Sequence, residues 1–251
     1  MANDSKTANW RLIPLCEMAG AEQMAIDSWL LDQHVKGLQP SILRFYTWSA
    51  PTISLGYHQK QFPPHWNNLI WQDKPVDIVR RPTGGRAVLH HGDLTYAIVT
   101  SAEKGVSRRE TYRQLCQFLI DGWQQLGVPL SFGTAGRGYI KNPNCFGTAT
   151  AADLVTQDGY KLIGSAQVYR EGSVLQHGSI RLCADASLYT KVFEEEVSPR
   201  CNPSASFSET EVICALTLAA QRNFEVKFKT ESFSPSEVEA AQTQNSLQTC
   251  G

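Results

Sequence analysis

The stretch 80–99, RRPTGGRAVLHHGDLTYAIV, places the tightest limits on how this chain folds. Apolar residues flank its centre: Ile78 and Val79 lead in, Ala87, Val88 and Leu89 lead out, and Leu94, Tyr96 and Ile98 follow. Period-two spacing with Thr, Val and Tyr predicts strands. Pro82, Thr83, Gly84 and Gly85 between the runs predict a tight connection or a bulge. Glycine there lets a ligand approach the backbone, and Arg81 and Arg86 bracket the opening. Two readings are open: a ligand cradle set in a sheet, or a glycine-rich hairpin carrying surface arginines.

The 251 residues are enough for a large core. Lys and Arg number 23 against 24 Asp and Glu, so bulk charge draws the chain neither to nucleic acid nor to an anionic membrane. No apolar run approaches a membrane span, and the start, MANDSKTANW, lacks the apolar core of a signal peptide. Seven cysteines without a CxxC pair predict reduced thiols in a cytosolic-type compartment and argue against a zinc site.

A short strand is expected at Trp10–Pro14 and a helix over 16–35, with Gly37 as its stop. Strands follow at 41–48 and 51–59, then a loop with a short helix at 62–68. Ser107 with Glu110 three residues on predicts a helix start, and the helix runs to about Gly127. Residues 131–144 read as loop. Their GTAGRG does not fit GxGxxG, and no GxxxxGK[ST] occurs. A three-strand meander is expected over 152–182, turning at Asp158-Gly159 and Gly172, and it reads as a second sheet. Helices at 186–193 and 209–223, a strand at 224–229, a last helix from Ser234 and a frayed tail from Gln242 complete the chain. No repeat or linker divides it, so one domain over 1–251 is expected, with a core at about 10–230 and polar tails.

Cys16, Cys116 and Cys214 fall in helical patterns and read as small core residues. Cys145 stands apart, at a loop end after Asn-Pro-Asn, where side chains tend to face a cleft. A cysteine nucleophile at neutral pH needs roughly 2 kcal/mol of help to become half thiolate. Lys161, just past the Asp158-Gly159 turn, is a candidate to supply it, or else a solvated hairpin lysine. His58, His90, His91 and His177 are possible acid–base groups, but no carboxylate partner can be assigned to them from sequence.

These residues resemble the biotin/lipoate A/B protein ligase family. RRPTGGRAVLH at 80–90 looks like its RRxTGG-[GR]-AVxH signature. YKLIGSAQ at 160–167 looks like GxKxxGSAQ and is followed by LQHGSI at 175–180, and PTISLG at 51–56 is similar to an early family strand. Arg86 in place of a third glycine, and Cys145-Phe146 upstream of the lysine motif, resemble the LipM-type octanoyltransferases. The chain also ends too early for the extra domain that many ligases carry. Two features depart from that pattern: the stretch from Cys145 to Lys161 is about one residue longer than the pattern has, and Ala97 stands where a serine is usual.

The resemblance implies an α+β fold, a mixed central β-sheet plus a smaller β-hairpin sheet flanked by helices, with the acyl site between the sheets. It implies that Cys145 takes octanoyl from octanoyl-acyl carrier protein, that Lys161 lowers its thiol pKa, and that a lysine of a lipoyl domain or glycine cleavage H protein accepts the group. The site it implies is Arg81, Gly84, Gly85, Arg86, His90, Gly164, Ser165, Ala166, Gln167, His177 and Gly178, with Arg81, Arg86 and His90 at a mouth for the donor's phosphopantetheine arm. No cofactor, ATP or metal is expected, nor any nucleic-acid or membrane partner. The rivals are ATP-dependent lipoate ligation, amidotransfer between carrier domains, and an acyl-domain scaffold whose site has decayed.

Overall fold

The computed structural model describes residues 8–134, 150–195 and 202–249. The chain opens with β1 (Ala8–Met18) and α1 (Gly20–Val35), then β2 (Ile42–Trp48) and β3 (Thr52–Leu55). A 3-10 turn leads to the short β4 (Ile70–Trp71) and β5 (Lys74–Pro75), followed by β6 (Asp77–Arg80), β7 (Val88–His90) and β8 (Asp93–Ser101). Next come α2 (Arg108–Gln125), β9 (Ser131–Phe132), β10 (Asp153–Val155), β11 (Lys161–Arg170) and β12 (Ser173–Arg181). The chain continues through α3 (Ala186–Phe193), α4 (Glu209–Asn223), β13 (Val226–Thr230) and α5 (Pro235–Thr249).

Eight strands form the main sheet in the order β13-β1-β2-β8-β12-β11-β10-β9, parallel at β13-β1-β2 and antiparallel beyond. Its residues alternate between two layers, as a pleated strand requires. Leu43, Phe45, Tyr96 and Ile98 pack with α2 and α4, whereas Ile42, Tyr46, Ala97 and Val99 pack with α1 and α5. The meander β10-β11-β12 is thus part of the main sheet, not a separate one: β12 pairs along its whole length with β8.

The smaller sheet is built from the glycine stretch itself, in the order β6-β3-β7. β6 runs parallel to β3 and β7 antiparallel to it. The two apolar runs therefore do not pair as a hairpin; each takes one edge of β3. Alternation along β3 turns Ile53 and Leu55 toward α3 and puts Thr52 and Ser54 on the opposite face.

Two other readings change. Residues 16–18 extend β1 and pair with β2 after a register shift, so strand pairing overrides their helical spacing. The helix from Pro235 continues past Gln242 to Thr249, and its Ala241 is fully buried against the α1 layer. Ser107 caps α2 by accepting from the Glu110 amide at 3.1 Å, as its spacing predicts.

Candidate active site

A cavity opens between the small sheet and the main sheet. The glycine turn, the β11 segment 164–166 and the β12 segment 177–179 form its walls. Arg81, Gly84, Gly85, His90, Gly164, Ser165, Ala166, His177 and Gly178 all line it. Residues from three separate stretches of sequence thus meet in one place.

The turn is held from inside. The Arg81 guanidinium is buried and donates to the carbonyls of Ser54 (2.7 Å), Gly84 (2.9 Å) and Arg86 (2.6 Å). Most of its donors thus go to backbone carbonyls, with one also reaching Ser54 Oγ at 3.2 Å, which makes Arg81 a brace of the turn. Gly85 has φ +99, and a Cβ on Gly56 would stand 1.9 Å from the Gly85 carbonyl oxygen. The turn and the end of β3 are therefore in direct contact, and Gly56 must lack a side chain.

Two buried carboxylates orient the two cavity histidines. Asp27 on α1 accepts from His177 Nδ1 at 2.7 Å, and His177 Nε2 lies 2.6 Å from Thr83 Oγ1. Asp27 also accepts from Arg44 Nη1 (3.1 Å) and the Tyr46 hydroxyl (2.9 Å), with Arg44 stacked on the Tyr46 ring. Burial and the Asp27 charge raise the Tyr46 pKa well above its ordinary value, so the phenol keeps its proton. The second carboxylate, Asp93, lies 2.8 Å from His90 Nδ1, and His90 Nε2 lies 2.8 Å from Ser54 Oγ. Burial lowers the His90 pKa; Arg81 and His177 add to the effect, and Asp93 opposes it.

Lys161 is buried, not a solvated hairpin residue, and its Nζ is 2.9 Å from Asp153 Oδ1. It does not line the cavity. Neither do Arg86, whose carbonyl serves Arg81, and Gln167, whose amide donates to Gln176 at 2.8 Å. Cys145 lies outside the described residues. Of the other cysteines, Cys116 is buried as expected, Cys16 is half-buried on a strand, and Cys214 is exposed. Burial pushes the Cys116 thiol up to about 12.

Met24, Tyr46, Trp48, Ser54, Thr95 and Ser179 line the cavity and were missed from sequence. Asp27 and Asp93 were missed as histidine partners. A polar Asp27 inside the apolar stripe of α1 was a signal, as was Asp93 three residues after His90. Among the described residues, no group of three or more His, Cys, Asp or Glu is placed to hold a metal ion. No helix among them is long and apolar enough to cross a membrane.

The fold is that of the lipoate-protein ligases. Lipoate-protein ligase A bound with ATP superposes with a TM-score of 0.73, at 20% identity over 94% of each chain. A bi-partite lipoate protein ligase from Thermoplasma acidophilum gives 0.71, at 19% identity over 94% of this chain and 91% of its own. Residues 19–233 match the lipoyl protein ligase A/B catalytic domain, and the chain belongs to that family. Similar relatives are Octanoyltransferase LipM of Symbiobacterium thermophilum, 40% identical over 72% of this chain and 68% of its own length, and that of Halalkalibacterium halodurans, 38% identical over 70% and 67%.

Proposed function

We propose that this chain is an octanoyltransferase of protein lipoylation, moving octanoyl from octanoyl-acyl carrier protein to a lysine of a lipoyl domain or glycine cleavage H protein. It shares this acyltransferase activity with the relatives named octanoyltransferase. Cys145 thiolate attacks the donor thioester; a new C–S bond forms and the phosphopantetheine thiolate leaves with a proton. The acceptor amine then attacks the Cys145 thioester, an amide forms and the cysteine sulfur departs. Lys161 favours the thiolate by its charge. A thioester is already activated, so neither step needs ATP or a metal.

The observation that carries this reading is the convergence of the RRPTGG, GSAQ and QHGS stretches on one cavity. Burying about six methylenes at roughly 0.8 kcal/mol each favours a medium acyl chain there. Gly84, where a side chain would meet nothing within 4 Å, and Gly164 let such a chain lie against the backbone.

The test is incubation with octanoyl-acyl carrier protein without ATP, followed by mass spectrometry of the enzyme and of an added lipoyl domain. The expected result is an octanoyl adduct on Cys145 and octanoylated acceptor, both lost in Cys145→Ala. Transfer that survives in Cys145→Ala overturns the acyl-enzyme route. Transfer only from free octanoate with ATP replaces it with ligation.

A further inference from the structure

We infer that Met24 sets the length of acyl chain this cavity accepts, as an adjustable stop at the buried end of a ramp that crosses the sheet. This rests on the transferase reading above, which makes the occupant an acyl chain.

The ramp is a row of directly paired residues. Gly164 on β11 pairs with Ser179 on β12, Ser179 with Thr95 on β8, and Thr95 with Tyr46 on β2. Residues paired in this way share a face of the sheet, and all four line the cavity. Along the row the side chain grows from none to a hydroxymethyl, a branched hydroxyl and a phenol. The floor is therefore deepest at Gly164 and rises until Tyr46 closes it. Exposure runs the same way. Ser165 and Ala166 beside Gly164 are half-buried and Gly85 is exposed, whereas Thr95 and Tyr46 are buried. The mouth thus lies at β11 and the glycine turn, and the methyl end of the chain points toward β2.

The distance suits a medium chain. Gly164 to Thr95 is two strand spacings, about 10 Å. An extended chain advances about 1.2 Å per bond, so octanoyl reaches about 8 Å from its carbonyl. A carbonyl level with Gly164 leaves the last carbon at the Thr95 step, facing the wall beyond it.

Most of that wall is fixed by hydrogen bonds. The Tyr46 hydroxyl donates to Asp27 at 2.9 Å, and Arg44 stacks on the Tyr46 ring. Trp48 Nε1 donates to Thr95 Oγ1 at 2.9 Å, and the Trp48 ring stacks on His90 with centroids 3.8 Å apart. Thr95 Oγ1 donates in turn to Asp93 at 3.3 Å.

Met24 completes the wall and is held differently. Gly20, one turn earlier on α1, lies so close to β2 and β3 that a Cβ there would stand 3.1 Å from the Trp48 ring and 2.7 Å from the Thr52 methyl. Gln23 Nε2 donates to the Thr47 carbonyl at 3.0 Å. These contacts seat the first turns of α1 on β2 and bring Met24 to the closed end of the cavity, where it is buried in the α1 layer. Its side chain is unbranched, has three rotatable bonds and ends in a thioether that makes no strong hydrogen bond. Shortening or enlarging it therefore moves the stop and leaves the hydrogen-bonded part of the wall in place. Methionine carries three heavy atoms beyond Cβ and alanine none, which is room for two more methylenes. Each buried methylene is worth about fourfold in affinity, so two are worth roughly fifteenfold.

The experiment gives wild type, Met24→Ala and Met24→Phe the same equimolar mixture of hexanoyl-, octanoyl-, decanoyl- and dodecanoyl-acyl carrier protein. The acyl groups that reach a lipoyl domain are then counted by mass spectrometry. Wild type is expected to favour octanoyl. Met24→Ala is expected to raise the decanoyl-to-octanoyl ratio about tenfold, and Met24→Phe to raise the hexanoyl-to-octanoyl ratio. Competition within one tube makes these ratios independent of how much variant is folded, and a merely loosened core does not shift them in opposite directions. If circular dichroism shows Met24→Ala unfolded, Met24→Val carries the lengthening arm. Unchanged ratios, or a shift in the same direction in both variants, overturn the stop and leave the transferase reading standing. Absence of any transfer by wild type overturns the transferase reading. Calorimetric binding of the four free acids then decides the stop: a preference that lengthens in Met24→Ala supports it, and no binding or an unaltered preference overturns it as well.

Discussion

Lys161 Nζ and Asp153 Oδ1 stand 2.9 Å apart on paired strands, both side chains buried. The other Asp153 oxygen accepts from the Thr150 amide at 2.6 Å. One carboxylate therefore ties the lysine to the chain shortly after Cys145 in sequence. Removing one member of a buried ion pair leaves an uncompensated charge and costs about 3–5 kcal/mol. Asp153→Asn and Lys161→Met should each lose stability of that order in urea unfolding. The double variant should recover at least half of the summed loss. Additive losses would show that the two charges do not support each other.

If Lys161 also promotes the Cys145 thiolate, Lys161→Met should slow alkylation of Cys145 at pH 7 about tenfold or more, and the deficit should shrink as pH rises. Cys116 supplies an internal control in the same digest. With its thiol pushed up to about 12 by burial, about one molecule in ten thousand is thiolate at pH 8. Iodoacetamide should therefore label the exposed Cys183 and Cys214 in the native protein and reach Cys116 only after unfolding. Native labelling of Cys116 at the rate of Cys183 would mean that the α2 layer opens readily.

The motif residues were legible because each carries its own local signal: glycine pairs, turn dipeptides and period-two strands. Their partners were not, because pairing is decided by topology. Asp27 lies 150 positions from His177, and only the packing of α1 on β12 brings them together. The glycine stretch looked like a hairpin because its two runs are adjacent in sequence; β3 takes the place between them. Lys161 looked solvated because it follows a surface turn, and the ion pair that makes its burial affordable lies back across that turn. Arg81 was read as a mouth residue because it brackets the glycine opening. The carbonyls that draw it inward belong to a turn whose shape the sequence does not state.

Arg11 clamps α5. Its guanidinium meets Glu237 in two contacts, 2.6 and 3.0 Å, and also reaches the Ser232 carbonyl at 2.8 Å. The hydrogen bonds from Arg11 hold the Glu237 carboxyl down at about 2. A carboxyl depressed in the folded state contributes stability above its unfolded value of about 4.3, and loses that contribution as pH falls from there toward 2. Glu237 keeps 18% of its side chain exposed, so solvent screening limits the effect. Glu237→Gln should cost about 1–2 kcal/mol at pH 7. The stability curves of variant and wild type should converge as pH falls through this window. A constant difference down to pH 2 would assign the loss to packing instead.

Gly84 and Gly85 are adjacent but should fail differently when substituted. A Cβ on Gly85 would meet the Arg81 Nη2 atom at 2.7 Å, and φ +99 strains any side chain there. Gly85→Val should therefore break the Arg81 brace and destabilise the fold by about 1–3 kcal/mol from backbone strain alone. A Cβ on Gly84 meets nothing within 4 Å, and Gly84 lines the cavity. Gly84→Val should keep its melting temperature within a few degrees of wild type while its isopropyl group occupies acyl space. Acylation by octanoyl-acyl carrier protein should fall at least tenfold in Gly84→Val. A shorter donor, butyryl-carrier protein, should be affected less, because fewer methylenes compete for the filled space. Equal losses for both donors would mean that the chain does not lie against this turn, and the acyl group would have to be sought elsewhere along the cavity wall.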